Sequence, residues 1–164
     1  MIALDGTDMT REMLENEAYK FRQAIEKAKA VGEFKPNSYK PERMNNFPHD
    51  CCDDTADLFT HYLYHQFGVD SIRVDGEYYD KVYGHCGHSW QETEGWIIDL
   101  TGDQFENDSS VSIKADAVYV GGMDGFHRQF KIVRREHSCG IECLGSGCWV
   151  RMHSLYDKII SYMK

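Results

Sequence analysis

One dipeptide, Glu94-Gly95, constrains the fold of this chain more than any other pair of residues. It sits inside HSWQETEGWIIDLTGDQF, residues 88–105, which reads as two short strands around a tight turn. If Glu94 and Gly95 are the two central turn residues, Thr93 pairs with Trp96, Glu92 with Ile97, Trp90 with Asp99 and His88 with Thr101. Opposed residues share a face of the sheet, and so do residues two apart on one strand. His88 and Asp99 are then diagonal neighbours on one face, with backbones about 7–8 Å apart and side chains within reach. A three-residue loop would slip the register by one and send Asp99 to the other face. A strand needs neither an imidazole nor a carboxylate at these places. A carboxylate on one imidazole nitrogen, however, fixes the tautomer and frees the other nitrogen as a general base.

The elements around this hairpin follow from periodicity. Residues 10–31 read as a helix with Leu14, Ala18, Phe21, Ile25 and Ala28 on one stripe, Thr10 as N-cap and Gly32 as stop. Residues 33–50 carry all three prolines and two adjacent asparagines and read as irregular. Residues 52–67, CDDTADLFTHYLYHQF, read as a second helix ended by Gly68, with Asp50 or Cys51 at its N-cap. Strands are expected over 69–79, 116–120 and 129–135, and a closing helix near 149–163. The order predicts an α+β fold of one domain, with N-terminal helices packed on an antiparallel sheet.

A base needs something to activate. The best nucleophile is a Cys at a helix N-terminus, where the dipole and a nearby imidazolium favour thiolate. Cys51 and Cys52 both stand at such a position, and periodicity does not separate them. Asp50, Asp53 and Asp54 beside them oppose the thiolate, so His88 has to dominate locally. The sequence has six cysteines, no basic and apolar leader at its start, and 164 residues, which together predict reduced thiols and a cytoplasmic protein. A net charge of −9 argues against nucleic-acid binding, and there is no apolar run long enough for a membrane span.

Three blocks in order, FPHDCCDDTADLF, HSWQE and GWIIDLTGDQF, resemble the transglutaminase-like branch of the papain-like cysteine enzymes. The resemblance covers about residues 47–105 and implies a papain-like fold and acyl transfer through a thioester. It aligns Cys52 with the nucleophile, His88 with the base and Asp99 with the residue that orients the base. It implies no cofactor and a peptide or other amide-containing substrate, a protein included. Small bacterial proteins of that superfamily carry similar blocks, with a Gly where Asp50 stands and an Ala where Ser89 stands. Asn46, six residues before Cys52, resembles the spacing of the papain-type oxyanion glutamine, and Trp90 is placed beneath the His. The acyl acceptor stays open between water, which gives hydrolysis, and an amine, which gives transamidation.

Two other classes compete with this reading. His137, Cys139, Cys143, Cys148 and His153 offer soft ligands for a metal, though without a recognisable finger spacing. A non-catalytic binding module of the same fold, using an acidic surface for a basic partner, is the other. His85 and Cys86 are placed at the flank of the cleft, and His61 and His65, four apart on a helix, at the surface.

Overall fold

The computed structural model describes residues 8–36 and 41–163. Helix α1 spans Arg11–Ala30, and the Thr10 Oγ1 accepts the Met13 N–H to cap it. The whole predicted stripe, from Leu14 to Ala28, is buried. A 3-10 turn, Arg43–Asn46, leads to helix α2, Cys52–Phe67, which ends on left-handed Gly68. Strands β1 (Ser71–Asp80), β2 (Gly84–Thr93), β3 (Trp96–Asp99), β4 (Tyr119–Gly121) and β5 (Lys131–Ser138) follow, and helix α3, Ser146–Ile160, closes the chain. The architecture is α+β: three helices and a five-stranded sheet of order β4-β3-β2-β1-β5 in which every pair is antiparallel.

The register at the hairpin is the one a two-residue loop requires: Thr93 faces Trp96, Glu92 faces Ile97 and Gln91 faces Ile98. Glu94 and Gly95 lie at φ 52 and 79, both left-handed. That is the turn whose twist matches the flanking strands, and a Gly at its second position makes it accessible.

The sheet separates two apolar layers. On one side, Leu14, Phe21, Phe59, Leu63 and Ile159 of the helices pack on Ile98 and Val120. On the other, Val74, Trp90, Ile97, Phe105, Phe126 and Phe130 form a second cluster. Arg22 ties the helical layer to the connection between β3 and β4. Its Nη1 donates to the carbonyls of Leu100 (2.7 Å) and Ala117 (2.8 Å), and both Nη atoms bind the Asp103 carboxylate.

Three expected elements shift. The strand expected at 116–120 narrows to Tyr119–Gly121, because the Ala117 carbonyl is given to Arg22 instead of a ladder. The strand expected at 129–135 becomes Lys131–Ser138, because His127–Gln129 wind into a 3-10 turn whose first N–H is taken by Asp124 (2.8 Å). The closing helix begins at Ser146, three residues before 149.

The expectation of six reduced thiols is corrected: Cys139 and Cys143 are bonded to each other, and Cys51, Cys52, Cys86 and Cys148 are free. Gly140, at φ 93 between them, makes the tight turn possible. It also lets the loop touch α2, since a Cβ there would lie 2.4 Å from the His61 Cα. No helix among the described residues is long and apolar enough to cross a membrane.

Candidate active site

Cys52 is the first residue of α2, and Cys51 before it makes no side-chain cap hydrogen bond. The first-turn N–H groups therefore lack the partner that a Ser or Asp cap would supply. The two thiols are not equivalent. Cys51 is fully buried, and burial pushes its thiol up to about 12, the Thr55 hydroxyl near its sulfur notwithstanding. A thiol so held is inert at neutral pH. Cys52 is half-buried and lines, together with His88, an open cleft of about 560 Å³.

His88 and Asp99 meet as the hairpin register requires. His88 Nε2 lies 2.7 Å from Asp99 Oδ2, and both side chains are sealed from solvent. A carboxylate only accepts, so Nε2 carries the hydrogen and Nδ1 is left on the side of the ring away from Asp99. Burial works against the His88 charge, but the Asp99 carboxylate outweighs it and pushes the imidazole up to about 10. Burial likewise opposes ionisation of Asp99, yet the two histidines on it hold its carboxyl far below the usual range.

The second of those histidines is His127, to which the sequence assigned no role. Its Nε2 lies 2.8 Å from the same Asp99 Oδ2, and its Nδ1 lies 2.6 Å from Asp124 Oδ1. The other Asp99 oxygen accepts the Thr101 N–H at 3.0 Å. Trp90 is buried, with its ring 5.6 Å from His88 and 4.9 Å from His127, so it packs under both imidazoles. Its indole N–H has no hydrogen-bond partner among the described residues.

Asn46 does not join them. It is exposed at the end of the 3-10 turn, and its carbonyl serves His49 N. The side-chain amide at the cleft is Gln104, whose Nε2 lies 3.2 Å from His88 Nδ1. Gln104 lies in the GDQF turn after Asp99, inside the block already singled out. Its signal was available in the sequence, though no spacing rule pointed to it. Gln104, Asp50 and Gly87 also line a second hollow of about 610 Å³, bordered by Tyr78, Tyr83 and Cys86, so the two hollows adjoin. Cys86 lines this adjoining hollow, and neither it nor His85 lines the cleft of Cys52 and His88.

The acidic residues near Cys52 are largely neutralised. Arg43 binds Asp53 (3.1 Å) and Asp54 (2.9 Å), and Arg151 binds Asp54 at 2.6 Å. Arg73 spans Asp57 and Asp75, and Ser89, the residue between His88 and Trp90, donates to Asp75 at 2.6 Å. Asp50 adopts φ 58, a left-handed conformation that Gly takes more readily than other residues. Asp50→Gly should therefore change stability by less than about 1 kcal/mol. By removing a carboxylate beside the thiol it should speed Cys52 alkylation about twofold or more. Thermal melting and labelling rates check both, and slower labelling would contradict the electrostatic argument.

The metal alternative at 137–153 is not assembled. Cys139 and Cys143 bind each other, His137 pairs with Asp70, and Cys148 is exposed. His61, expected at the surface, is instead 3% exposed, and its Nδ1 accepts the Ile141 N–H at 3.3 Å. His61, His65 and Glu142 bring ligand atoms within 4.8 Å of one another, as do His88, Asp99 and His127. In the first group the His61 nitrogen that accepts from Ile141 leaves its hydrogen on the other, a poor arrangement for a ligand. In the second the carboxylate oxygen is already occupied by two N–H donors.

No protein-family model and no curated protein matches this sequence. A crystal structure from a genomics programme superposes with a TM-score of 0.45 over 98% of this chain and 82% of its own, at 10% identity. A likeness of that degree carries no argument about fold family or function.

Proposed function

We propose that this protein is a cysteine-dependent acyl-transfer enzyme with a papain-like, transglutaminase-type core, acting on an amide or peptide bond, most simply by hydrolysis. The observation that supports it best is the convergence of three groups: Cys52 and His88 line one cleft, and the His88 ring is held from behind by Asp99. Nucleophile, base and orienting acid are the parts such chemistry requires.

In this reading His88 carries the Cys52 proton on Nδ1 from the outset, and the Cys52 sulfur attacks the carbonyl carbon as the thiolate of that pair. The N–H of Cys52 at the start of α2 and the Gln104 amide meet the oxyanion. His88 then returns the proton to the leaving nitrogen, the C–N bond breaks and a thioester remains. Water, deprotonated by His88, attacks the thioester and releases the acid and the thiol. His88 Nε2 stays on Asp99 throughout, so the imidazolium formed in each half is compensated.

Iodoacetamide labelling at neutral pH tests the reading. Cys52 should react about tenfold or more faster than exposed Cys148, and His88→Ala should abolish that advantage. Cys51→Ala should leave it intact. Equal, slow labelling of all four free thiols in the wild type would sink the proposal. Gln104→Ala should lower turnover of a small activated ester by about 10²-fold, while Asn46→Ala should leave it unchanged.

A further inference from the structure

We infer that His127 is a positioning residue of this same site: held as a cation between Asp124 and Asp99, it pins the carboxylate that orients His88 and limits how firmly His88 keeps its proton. The inference rests on the acyl-transfer reading for its purpose, but not for its geometry.

Both ring nitrogens of His127 face carboxylate oxygens, at 2.6 Å on Asp124 and 2.8 Å on Asp99. Carboxylates have no hydrogen to give, so both nitrogens donate and the ring is positive. His127 has no exposed side-chain surface, so this charge is compensated only by what surrounds it. From its own turn that is Asp124; from β3 it is Asp99. From β2 the Trp90 ring lies 4.9 Å away, and from β4 the Tyr119 ring lies 5.2 Å away with its hydroxyl turned to the Gly122 carbonyl. Arg11 of α1 comes near the same strand, donating to the Val120 carbonyl at 3.3 Å. The groups that face His88 are Cys52 of α2, Gln104, and Asp99.

The decisive feature is that the two imidazoles share one oxygen, Asp99 Oδ2. With Thr101 N–H on the other oxygen, the carboxylate cannot rotate without breaking a bond at each end. A lone buried carboxylate would draw the His88 proton so strongly that the ring would return it to a leaving amine only with difficulty. A second N–H donor on the same oxygen takes up part of that attraction. His127 thus acts through Asp99 and touches neither thiol nor substrate.

Histidine ring NMR with ¹⁵N label tests this in the full chain without any substrate. In the wild type, His127 should show two protonated ring nitrogens at neutral pH. At the pH where half of wild-type His88 has lost its proton, His127→Gln should keep His88 mostly protonated, raising the protonated-to-neutral ratio by about tenfold. Asp124→Asn, which removes the partner that holds the second His127 hydrogen, should move the ratio in the same direction and serves if the first variant does not fold. A merely structural His127 would lower activity while leaving the His88 ratio unmoved, and that result would overturn the inference. So would a His127 ring with one bare nitrogen in the wild type. Failure of the acyl-transfer reading would appear separately, as a wild-type Cys52 that labels no faster than Cys148.

Discussion

Asp99→Asn is expected to lower turnover of an activated ester by about 10⁴-fold. The size follows from what converges on the carboxylate. Its Oδ2 receives N–H donors from His88 and His127, and its Oδ1 receives the Thr101 N–H. An asparagine has one acceptor oxygen for three donors. With that oxygen toward the histidines, its NH₂ meets the Thr101 N–H. Turned the other way, the NH₂ faces both rings and forces His88 to put its hydrogen on the nitrogen that must accept from Cys52. Either outcome costs the base its tautomer or its support. Turnover within tenfold of the wild type would show that Asp99 does not orient the base.

The same substitution has a stability signature with a definite sign. His88 is raised from 6.5 to about 10 in the folded chain, so its contribution is fully present below 6.5 and is lost as pH rises toward 10. Asp99 is depressed below its ordinary 3.8, so its contribution is present above 3.8 and is lost as pH falls below it. Between those limits the pair stabilises the fold most. Urea midpoints of the wild type should decline from pH 6.5 upward more steeply than those of Asp99→Asn or His88→Ala. Parallel declines would refute the buried ion pair.

Much of this site was legible because it lies in a hairpin whose turn fixes its own register. Glu94-Gly95 sets the pairing, and the pairing sets His88 on Asp99 without any knowledge of the rest of the chain. The stripe of α1 was legible for the same reason, a period of local structure written in local residues. His127 was not legible. It reaches Asp99 from 28 residues away through a 3-10 turn that carries no periodic signal. Asn46 was offered as an oxyanion donor by spacing alone, and spacing in an irregular segment says little about where a side chain points. Periodicity could not separate Cys51 from Cys52; the resemblance aligns Cys52, and burial distinguishes the two because only Cys51 faces the core.

Arg22→Met is expected to destabilise the protein by about 3–5 kcal/mol, because it removes one partner of a buried ionic and hydrogen-bonded cluster. Arg22 is 7% exposed and borders the apolar stripe of α1. It is the sole side chain among the described residues bonded to Leu100, Asp103 and Ala117 together. Methionine matches its length but cannot satisfy the Leu100 and Ala117 carbonyls, which become buried acceptors without donors. For a domain of this size the loss corresponds to a fall in Tm of about 10 °C. The site should suffer as well, since Leu100 follows Asp99 directly and Asp103 precedes Gln104. Cys52 labelling in Arg22→Met, measured well below its Tm, should be slower than in the wild type. Arg22→Lys should fall between the two, because an ammonium can reach one carbonyl and the carboxylate but lacks the planar fork that serves all three. A melting point within about 2 °C of the wild type for the methionine variant would mean that this clamp behaves like an exposed ion pair and does not hold the β3–β4 connection in place.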